Sequence, residues 1–270
     1  MSLLLKQVAP DRGLRWIRSA FGLFARKPLA FTSLFVAFLF AALLASMIPV
    51  LGAVLLLMSL PLLSLGFMIA SRSALAGGAV HPGQYIEPLR GGRPQLRALL
   101  LLCAIYGVAT VGVITLSEWV DGGSFERLQD LLAKGESAQP EIEALLADPQ
   151  LTWGIITRFG LAALLSVPFW HAPALVHWGS QGAWQALFSS TLAIWRNKGA
   201  YTMYALAWSA LVGLFGVAAA LLFGLLGQRQ MAGFLALPAG LFFSTIFYVS
   251  LIFSFDDCFG EAEAETAATP

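Results

Sequence analysis

Residues 29–71 read LAFTSLFVAFLFAALLASMIPVLGAVLLLMSLPLLSLGFMIAS, and no charged side chain occurs in this stretch. A helix of about 20 apolar residues crosses the hydrocarbon core of a bilayer, so the stretch is long enough for two spans. Only the sequence IPVLG at 48–52 separates them. We therefore predict two transmembrane helices, at 29–49 and 51–71, joined as a tight hairpin.

The rest of the chain is similarly apolar. Of its 270 residues, 58% are hydrophobic and only 11% are charged, whereas soluble domains are about one quarter charged. Four more stretches are long enough to cross a bilayer, at 97–117, 153–177, 200–226 and 231–254. The expected fold class is all-α: a polytopic membrane protein with six transmembrane helices in three hairpins, forming a single integral membrane domain over 1–270.

Two polar segments lie outside these spans. Residues 118–152 are acidic and contain two short amphipathic stretches, which either cap the outer face or form a solvated connector. Residues 259–270 are expected to be a disordered acidic tail. The Arg-rich first 28 residues carry no cleavage motif at the position that a secretory signal needs, so we expect none to be removed.

The positive charges predict the orientation. Twelve Lys and Arg residues fall on one side of the predicted spans: Lys6, Arg12, Arg15, Arg18, Arg26, Lys27, Arg72, Arg90, Arg93, Arg97, Arg196 and Lys198. The other side holds Arg127, Lys134 and Arg229. Because cytoplasmic loops carry the excess of Lys and Arg, we predict a multi-pass protein of the bacterial inner (cytoplasmic) membrane with both termini cytoplasmic and 118–152 outside.

A short pattern recurs before the first and fifth spans. SAFGLFARKPLAF at 19–31 and SSTLAIWRNKGAY at 189–201 align so that Lys27 meets Lys198. Both stretches belong to amphipathic segments with basic ends, which is typical of helices lying in the membrane interface. We predict such helices on the cytoplasmic side, with a weaker third copy at 83–97; the alternative is amphipathicity that arose independently in each loop.

The basic ends of these two segments are the predicted lipid contacts. Arg26, Lys27, Arg196 and Lys198 are expected to contact anionic lipid, since cations near an anionic leaflet are attracted to it.

The sequence VPFWHAPALVHW at 167–178 is the most unusual part of the fourth span. Its histidines, His171 and His177, are six residues apart, which on a straight helix is a rise of about 9 Å and a rotation of about 120°. That spacing does not bring two imidazoles to one ion, and we expect no metal there. Pro168 and Pro173 are expected to kink the helix.

Two interpretations of this stretch stay open. In the first, Trp170, His177 and Trp178 belong to the interfacial aromatic belt, and His171 bonds a backbone carbonyl that the kink frees. In the second, His171, Trp170, Pro168 and Pro173 line a polar cavity opened by the kink, since ionisable groups inside membranes are costly and often functional.

Other features are expected to be structural. Arg158, inside the fourth span, is expected either to pair with Glu118 or to extend outward, and Arg72 to meet Asp256 or Asp257. Small residues at every fourth position are expected to be packing seams; they are Ala37, Ala41 and Ala45, then Gly216, Ala220 and Gly224, then Ala236, Gly240 and Ser244. No motif pairs a nucleophile with a base, and we predict no catalytic residue, no metal and no cofactor.

Four stretches together resemble a known family. WIRSAFGLFARKPLAF, FWHAPALVHW, ALFSSTLAIWRNKGAYTMYALAW and SFDDCFG are similar to an uncharacterised family of proteobacterial inner-membrane proteins with six spans. That family is in turn similar to the membrane domain found with some glycerophosphodiester phosphodiesterases. Relatives tend to read Ser-Tyr-Arg-Asp in the last stretch, where this chain has Asp256. The resemblance implies the fold but transfers no chemistry to any residue.

Two functions from different classes are compatible with these features. The first is a non-enzymatic scaffold or partner subunit that contacts anionic lipid, and it is favoured because no strong charge is buried in the spans. The second is a transporter or binder of a small amphipathic molecule that uses spans four to six, and Pro238 and the kinked fourth span favour it. The expected partners are membrane lipids and either a protein partner or a second copy of the chain, with no nucleic acid.

The orientation can be tested by labelling. A cysteine introduced at residue 130 is expected to react with a membrane-impermeant reagent added from outside, because 118–152 is predicted to be extracytoplasmic. Reaction from the cytoplasmic side alone would contradict the predicted topology.

Overall fold

The computed structural model describes residues 3–134, 139–227 and 231–261, and six of its helices are long and apolar enough to cross a membrane. This confirms the predicted fold class. The helices are α1 (Arg12–Arg26), α2 (Pro28–Ser46), α3 (Leu51–Leu75), α4 (Arg93–Asp121), α5 (Ser124–Lys134), α6 (Gln139–Leu146), α7 (Pro149–Phe169), α8 (Ala172–Gly179), α9 (Ala183–Arg196), α10 (Lys198–Leu225) and α11 (Met231–Cys258). The described residues also contain two short strands, β1 (Leu3–Leu5) and β2 (Phe259–Glu261).

The spans pair in three hairpins, α2 with α3, α4 with α7, and α10 with α11. Their bounds lie within a few residues of the predicted ones. The fourth span differs, because it is broken between α7 and α8. We call the end of the bundle at which α2, α4 and α10 begin the basic end; α1, α9 and the two strands lie there.

Helix α1 is packed inside the protein, which the sequence did not predict. Its buried side includes Trp16, Ala20 and Leu23 and packs on α10 and α11. Asp257 at the end of α11 accepts hydrogen bonds from Arg12 Nε at 2.8 Å and from Trp16 Nε1 at 2.6 Å. The expectation that the apolar side of α1 faces lipid is therefore wrong, because α10 and α11 cover that side instead.

Two further expectations need correction. The weak third copy at 83–97 is not an interfacial α-helix: 3₁₀ turns at Pro82–Tyr85 and Glu87–Arg90 precede α4. Pro82 begins the first turn and Pro88 is the second residue of the other, and neither has the amide donor that a longer helix would need. Residues 259–261 of the predicted disordered tail instead form β2, in which Gly260 pairs antiparallel with Leu4; residues 262–270 lie outside the described residues.

The acidic segment forms a helical pair. Leu131 of α5 and Ile142 of α6 are buried against each other, with Leu128 and Leu145 packed beside them. The two amphipathic stretches predicted from the sequence therefore cover each other's apolar sides. The extracytoplasmic location of this pair stays a prediction.

The predicted small-residue seams of the last hairpin are not packed. A Cβ atom added at Gly216, Gly224 or Gly240 would meet no heavy atom within 4 Å in the described chain. The seam of the first span, which contains Ala41, lines an apolar cavity of about 410 Å³ between α2 and α3. The last hairpin therefore leaves open space along its own helices.

Two glycines of α1 form a matched pair for testing how α1 is held. A Cβ at Gly13 would collide with the backbone of Ala200, whereas a Cβ at Gly22 would meet nothing within 4 Å. Gly13→Ala is expected to lower the free energy of unfolding by about 1–3 kcal/mol through overpacking. Gly22→Ala is expected to keep it or raise it, because Ala favours helix over Gly.

Thermal unfolding of both variants in the same detergent checks this difference. Equal melting temperatures for the two variants would show that α1 is not docked against α10.

Candidate functional site

A serine from α9 bonds the backbone groups that the break in the fourth span leaves without helical partners. Pro173 has no amide hydrogen, so a continuous helix is disfavoured there, and α7 ends at Phe169. The His171 amide, which in an unbroken helix would bond the Val167 carbonyl, donates to Ser190 Oγ at 3.0 Å. Ser190 Oγ in turn donates to the Val167 carbonyl at 3.0 Å. The hydroxyl thus bridges the donor and the acceptor that the break separates.

The His171 side chain is completely buried and bonds a tyrosine. Its Nε2 lies 2.5 Å from the hydroxyl of Tyr201 on α10, and its Nδ1 has no hydrogen-bond partner in the described chain. The interpretation in which His171 bonds a freed backbone carbonyl is wrong, because its imidazole bonds Tyr201 and the carbonyl that the break frees, that of Val167, accepts from Ser190. The Tyr201 hydroxyl also lies 3.6 Å from Cys258 Sγ.

Asn197 ties the N-terminal segment to this cluster. Its Oδ1 accepts from the Val8 amide at 2.8 Å, and its Nδ2 donates to the Lys6 carbonyl at 3.0 Å. The same Nδ2 lies 3.6 Å from Cys258 Sγ. Since Asn197 is the residue between α9 and α10, one side chain holds the two helices and both ends of the chain together.

The polar cluster of His171, Asn197, Tyr201 and Cys258 is buried. His171 and Cys258 are completely buried, and both cysteines of the chain are free thiols. Among the described residues, no group of three His, Cys, Asp or Glu side chains could hold a metal ion. His177 lies apart from the cluster, in an edge-on contact with Trp178 at 5.5 Å between ring centroids. The arrangement ties α9, α10 and the N-terminal segment together.

Trp170 lines a separate cavity inside the bundle. This cavity has a volume of about 130 Å³ and is lined from α3, α4, α7 and α11. Ser64, Tyr106, Ser166 and Tyr248 add hydroxyl groups to its otherwise apolar wall. Of the four residues predicted to line a cavity, the structure places Trp170 here, His171 at Tyr201, Pro173 in the buried start of α8, and Pro168 half-buried in the last turn of α7.

Helix α9 presents an aromatic surface that nothing in the described chain covers. Trp184, Phe188 and Trp195 lie on its outer side and are 68%, 69% and 73% exposed. The opposite side of α9, with Ala186 and Ser190, is buried against the fourth span. We call the three exposed rings the aromatic face of α9.

The predicted lipid contacts differ in their surroundings. Lys198 lies beside the aromatic face, with Nζ 5.7 Å from the centre of the Trp195 ring. Arg26 and Arg196 are exposed. Lys27 is half-buried and donates to the Gly78 carbonyl at 2.5 Å. Its ammonium group therefore takes part in the fold.

Two ion pairs were also predicted from the sequence, and in the structure the side chains of both lie close together. Arg158 Nη2 lies 3.9 Å from Glu118 Oε1, while its Nε donates to Ser117 Oγ at 2.9 Å. Arg72 Nη2 bonds Asp256 at 2.6 Å. Its guanidinium carbon also lies 3.8 Å from the centre of the Trp178 ring.

Sequence reasoning missed Asn197, Tyr201 and the docking of α1 through Asp257. The two adjacent acids of SFDDCFG were a visible signal for the Asp257 contact. One carboxylate at the end of a span is readily solvated, whereas two adjacent ones suggest that each has its own partner. No sequence signal pointed to Tyr201, whose partner His171 is 30 residues away.

The arrangement of spans and interfacial elements defines a multi-pass α-helical membrane protein. A probable inner membrane protein of Burkholderia thailandensis is 35% identical to the chain over 269 residues, which cover 98% of this chain and 97% of the relative. The chain therefore belongs to the same family of probable inner membrane proteins, and it has a multi-pass inner-membrane location. No family model matches the chain, and no solved structure does.

The dependence of protein stability on the Ser190 hydroxyl can be tested by substitution. Ser190→Ala is expected to destabilise the protein by about 1–3 kcal/mol, because it leaves a buried amide and a buried carbonyl without partners. Thr191→Ala is the control, since its hydroxyl bonds only the Leu187 carbonyl of its own helix. Thermal unfolding of the two variants should separate them, and a Ser190→Ala protein as stable as the control would refute the bridging role.

Proposed function

We propose that the protein is a non-enzymatic component of the inner membrane, a scaffold or partner subunit whose basic end contacts anionic lipid on the cytoplasmic side. The observation that carries the proposal is the aromatic face of α9. Three large rings exposed together are unfavourable in water but favourable at the level of lipid headgroups. Arg196 and Lys198 follow this face directly, where an anionic phosphate would meet them.

The charge distribution supports a cytoplasmic basic end. Positive residues of short loops concentrate on the side where α1 and α9 lie, and such loops stay in the cytoplasm. The resemblance to membrane domains found with some glycerophosphodiester phosphodiesterases is compatible with a supporting role beside another domain or protein, and it stays a hypothesis.

A second candidate function is the binding of a small amphipathic molecule. The hydroxyl-lined cavity beside Trp170 favours it, because a pocket with an apolar wall and a few polar groups is typical of ligand sites. This cavity is lined by spans two, three, four and six, so the expected use of spans four to six fits it only in part.

If the basic residues near α1 and α9 contact anionic lipid, the amount of lipid that the protein retains should depend on their charge. The triple variant Arg26→Gln, Arg196→Gln and Lys198→Gln is expected to retain severalfold less phosphatidylglycerol than the wild type, since each surface cation gains on the order of 1 kcal/mol near an anionic leaflet. Lys27 is left unchanged because it bonds Gly78. The difference should shrink as salt rises.

Native mass spectrometry of protein from mild detergent measures the retained lipid. The matched control replaces Arg90, Arg93 and Arg97, three other exposed arginines of the basic end, with Gln. An equal loss in both triple variants would show a general charge effect and would reject the assignment to α9.

A further inference from the structure

A short run of acids begins at the last described residue. Residues 261–265 read EAEAE, so an acid stands at every second position, at Glu261, Glu263 and Glu265. We call this run the EAEAE stretch. Glu261 is the last residue of β2. Side chains two residues apart lie on the same side of an extended chain, about 7 Å from each other. An extended EAEAE stretch therefore presents a row of carboxylates along one side.

Strand β2 runs from the start of α10 towards the end of α8. Its first residue follows Cys258, whose Sγ lies 3.6 Å from Asn197 Nδ2 just before α10. Its last residue, Glu261, is opposite Leu3 of β1. A Cβ added at Gly179, the last residue of α8, would lie 3.1 Å from Leu3 Cδ1. A chain that continues in this direction moves away from the basic residues around Asn197 and passes the end of α8.

The start of α4 lies directly beyond the end of α8. Gln95 Nε2 donates to the hydroxyl of Ser180, the residue after α8, at 3.1 Å. Arg93 and Arg97 stand two residues before and two residues after Gln95, and both are exposed. No ion pair between described residues involves either arginine. Within the described chain, two guanidinium groups thus lie without a counter-charge on the path that β2 points along.

We propose that the EAEAE stretch binds Arg93 and Arg97 and shields these two cations from anionic lipid. Residues four apart on a helix share a face and differ by about 6 Å in rise. This spacing matches the distance of about 7 Å between Glu263 and Glu265 in an extended chain. Glu265 is four residues beyond Glu261, and an extended chain covers about 13 Å over that distance. The charges are therefore opposite, similarly spaced and within reach of each other.

The contact is weak enough to respond to the membrane. An exposed ion pair changes an equilibrium by about fivefold at most, and an anionic leaflet attracts a surface cation about as strongly. Lipid and the EAEAE stretch therefore compete for Arg93 and Arg97 on nearly equal terms. This consequence rests on the proposed function: a leaflet rich in anionic lipid releases the stretch, and a leaflet poor in such lipid leaves the two arginines covered.

Crosslinking between introduced cysteines locates the EAEAE stretch in the full chain. One cysteine replaces Ala264, and the other replaces either Gly92 at the start of α4 or Gly22 on α1, where Arg18 and Arg26 form a second basic surface. A Cβ at Gly92 makes only ordinary contacts, and one at Gly22 meets nothing within 4 Å. The wild-type chain, whose two native thiols are buried, is the blank. In dodecyl maltoside, a short bismaleimide is expected to bridge 264 to 92 several times more often than 264 to 22, and equal yields would overturn the proposal.

Charge reversal shows whether ion pairs cause this preference. Arg93→Glu with Arg97→Glu is expected to lower the crosslinking yield with residue 92 severalfold, and adding Glu263→Arg with Glu265→Arg should restore it. Acids are favourable near the start of a helix, so the reversal should leave α4 intact. The yield should also fall as salt rises, because salt screens exposed pairs. A yield that ignores the reversal of the arginines, or that the combined reversal leaves low, would refute the proposal.

Retention of lipid tests the shielding separately from the contact. Glu263→Gln with Glu265→Gln is expected to raise the retention of phosphatidylglycerol severalfold, and adding Arg93→Gln with Arg97→Gln should remove that gain. The absence of a gain, or a gain that survives the loss of both arginines, would reject the shielding. Crosslinking needs no lipid. It therefore still decides where the EAEAE stretch binds if the triple variant around α9 keeps its phosphatidylglycerol and the proposed function fails.

Discussion

A single hydroxyl group allows the fourth span to break inside the membrane. Hydrocarbon offers no water to a backbone amide or carbonyl, so a break in a span must be satisfied by the protein itself. Ser190 does this from α9, by accepting from the His171 amide and donating to the Val167 carbonyl. Because the bridge requires α9 to lie against the break, it also fixes which side of α9 is buried and which side presents the aromatic face.

Around this bridge, the basic end is tied by side chains from distant parts of the chain. Asn197 holds the N-terminal segment, and Asp257 holds α1 through Arg12 and Trp16. The α1 contacts are partly buried, with the Asp257 side chain 19% exposed, so they are screened less than surface ion pairs. The result is a closed basic end on a bundle whose last hairpin stays open towards lipid.

The spans could be predicted from the sequence because length and hydropathy are local properties. Where the spans end also predicted that Arg72 meets Asp256 or Asp257, and the structure pairs it with Asp256. The surroundings of α1 could not be predicted in this way. Amphipathicity shows that one side of a helix avoids water, but it does not show whether lipid or protein covers that side. The prediction of an interfacial helix placed the apolar side with Ile17 and Phe24 towards lipid, whereas both residues are buried and α1 packs on α10 and α11.

The partners of His171 were beyond sequence reasoning for a related reason. A kink near Pro173 was predictable, but the group that satisfies it comes from Ser190, 19 residues later. The imidazole pairs with Tyr201, 30 residues away. Neither partner lies at a spacing that helix periodicity relates to His171, so only the packed arrangement of α9 and α10 reveals them.

The central claim is that the aromatic face of α9 lies in the membrane interface. The depth of spin labels in a reconstituted bilayer tests it most directly, with labels at positions 184, 188 and 195, one at a time, and a reference label at Ser19 on the exposed side of α1. The account predicts that the three α9 labels are accessible to oxygen at the depth of the headgroups, while the reference label is accessible to a water-soluble relaxant. Three α9 labels as open to water as the reference would contradict it.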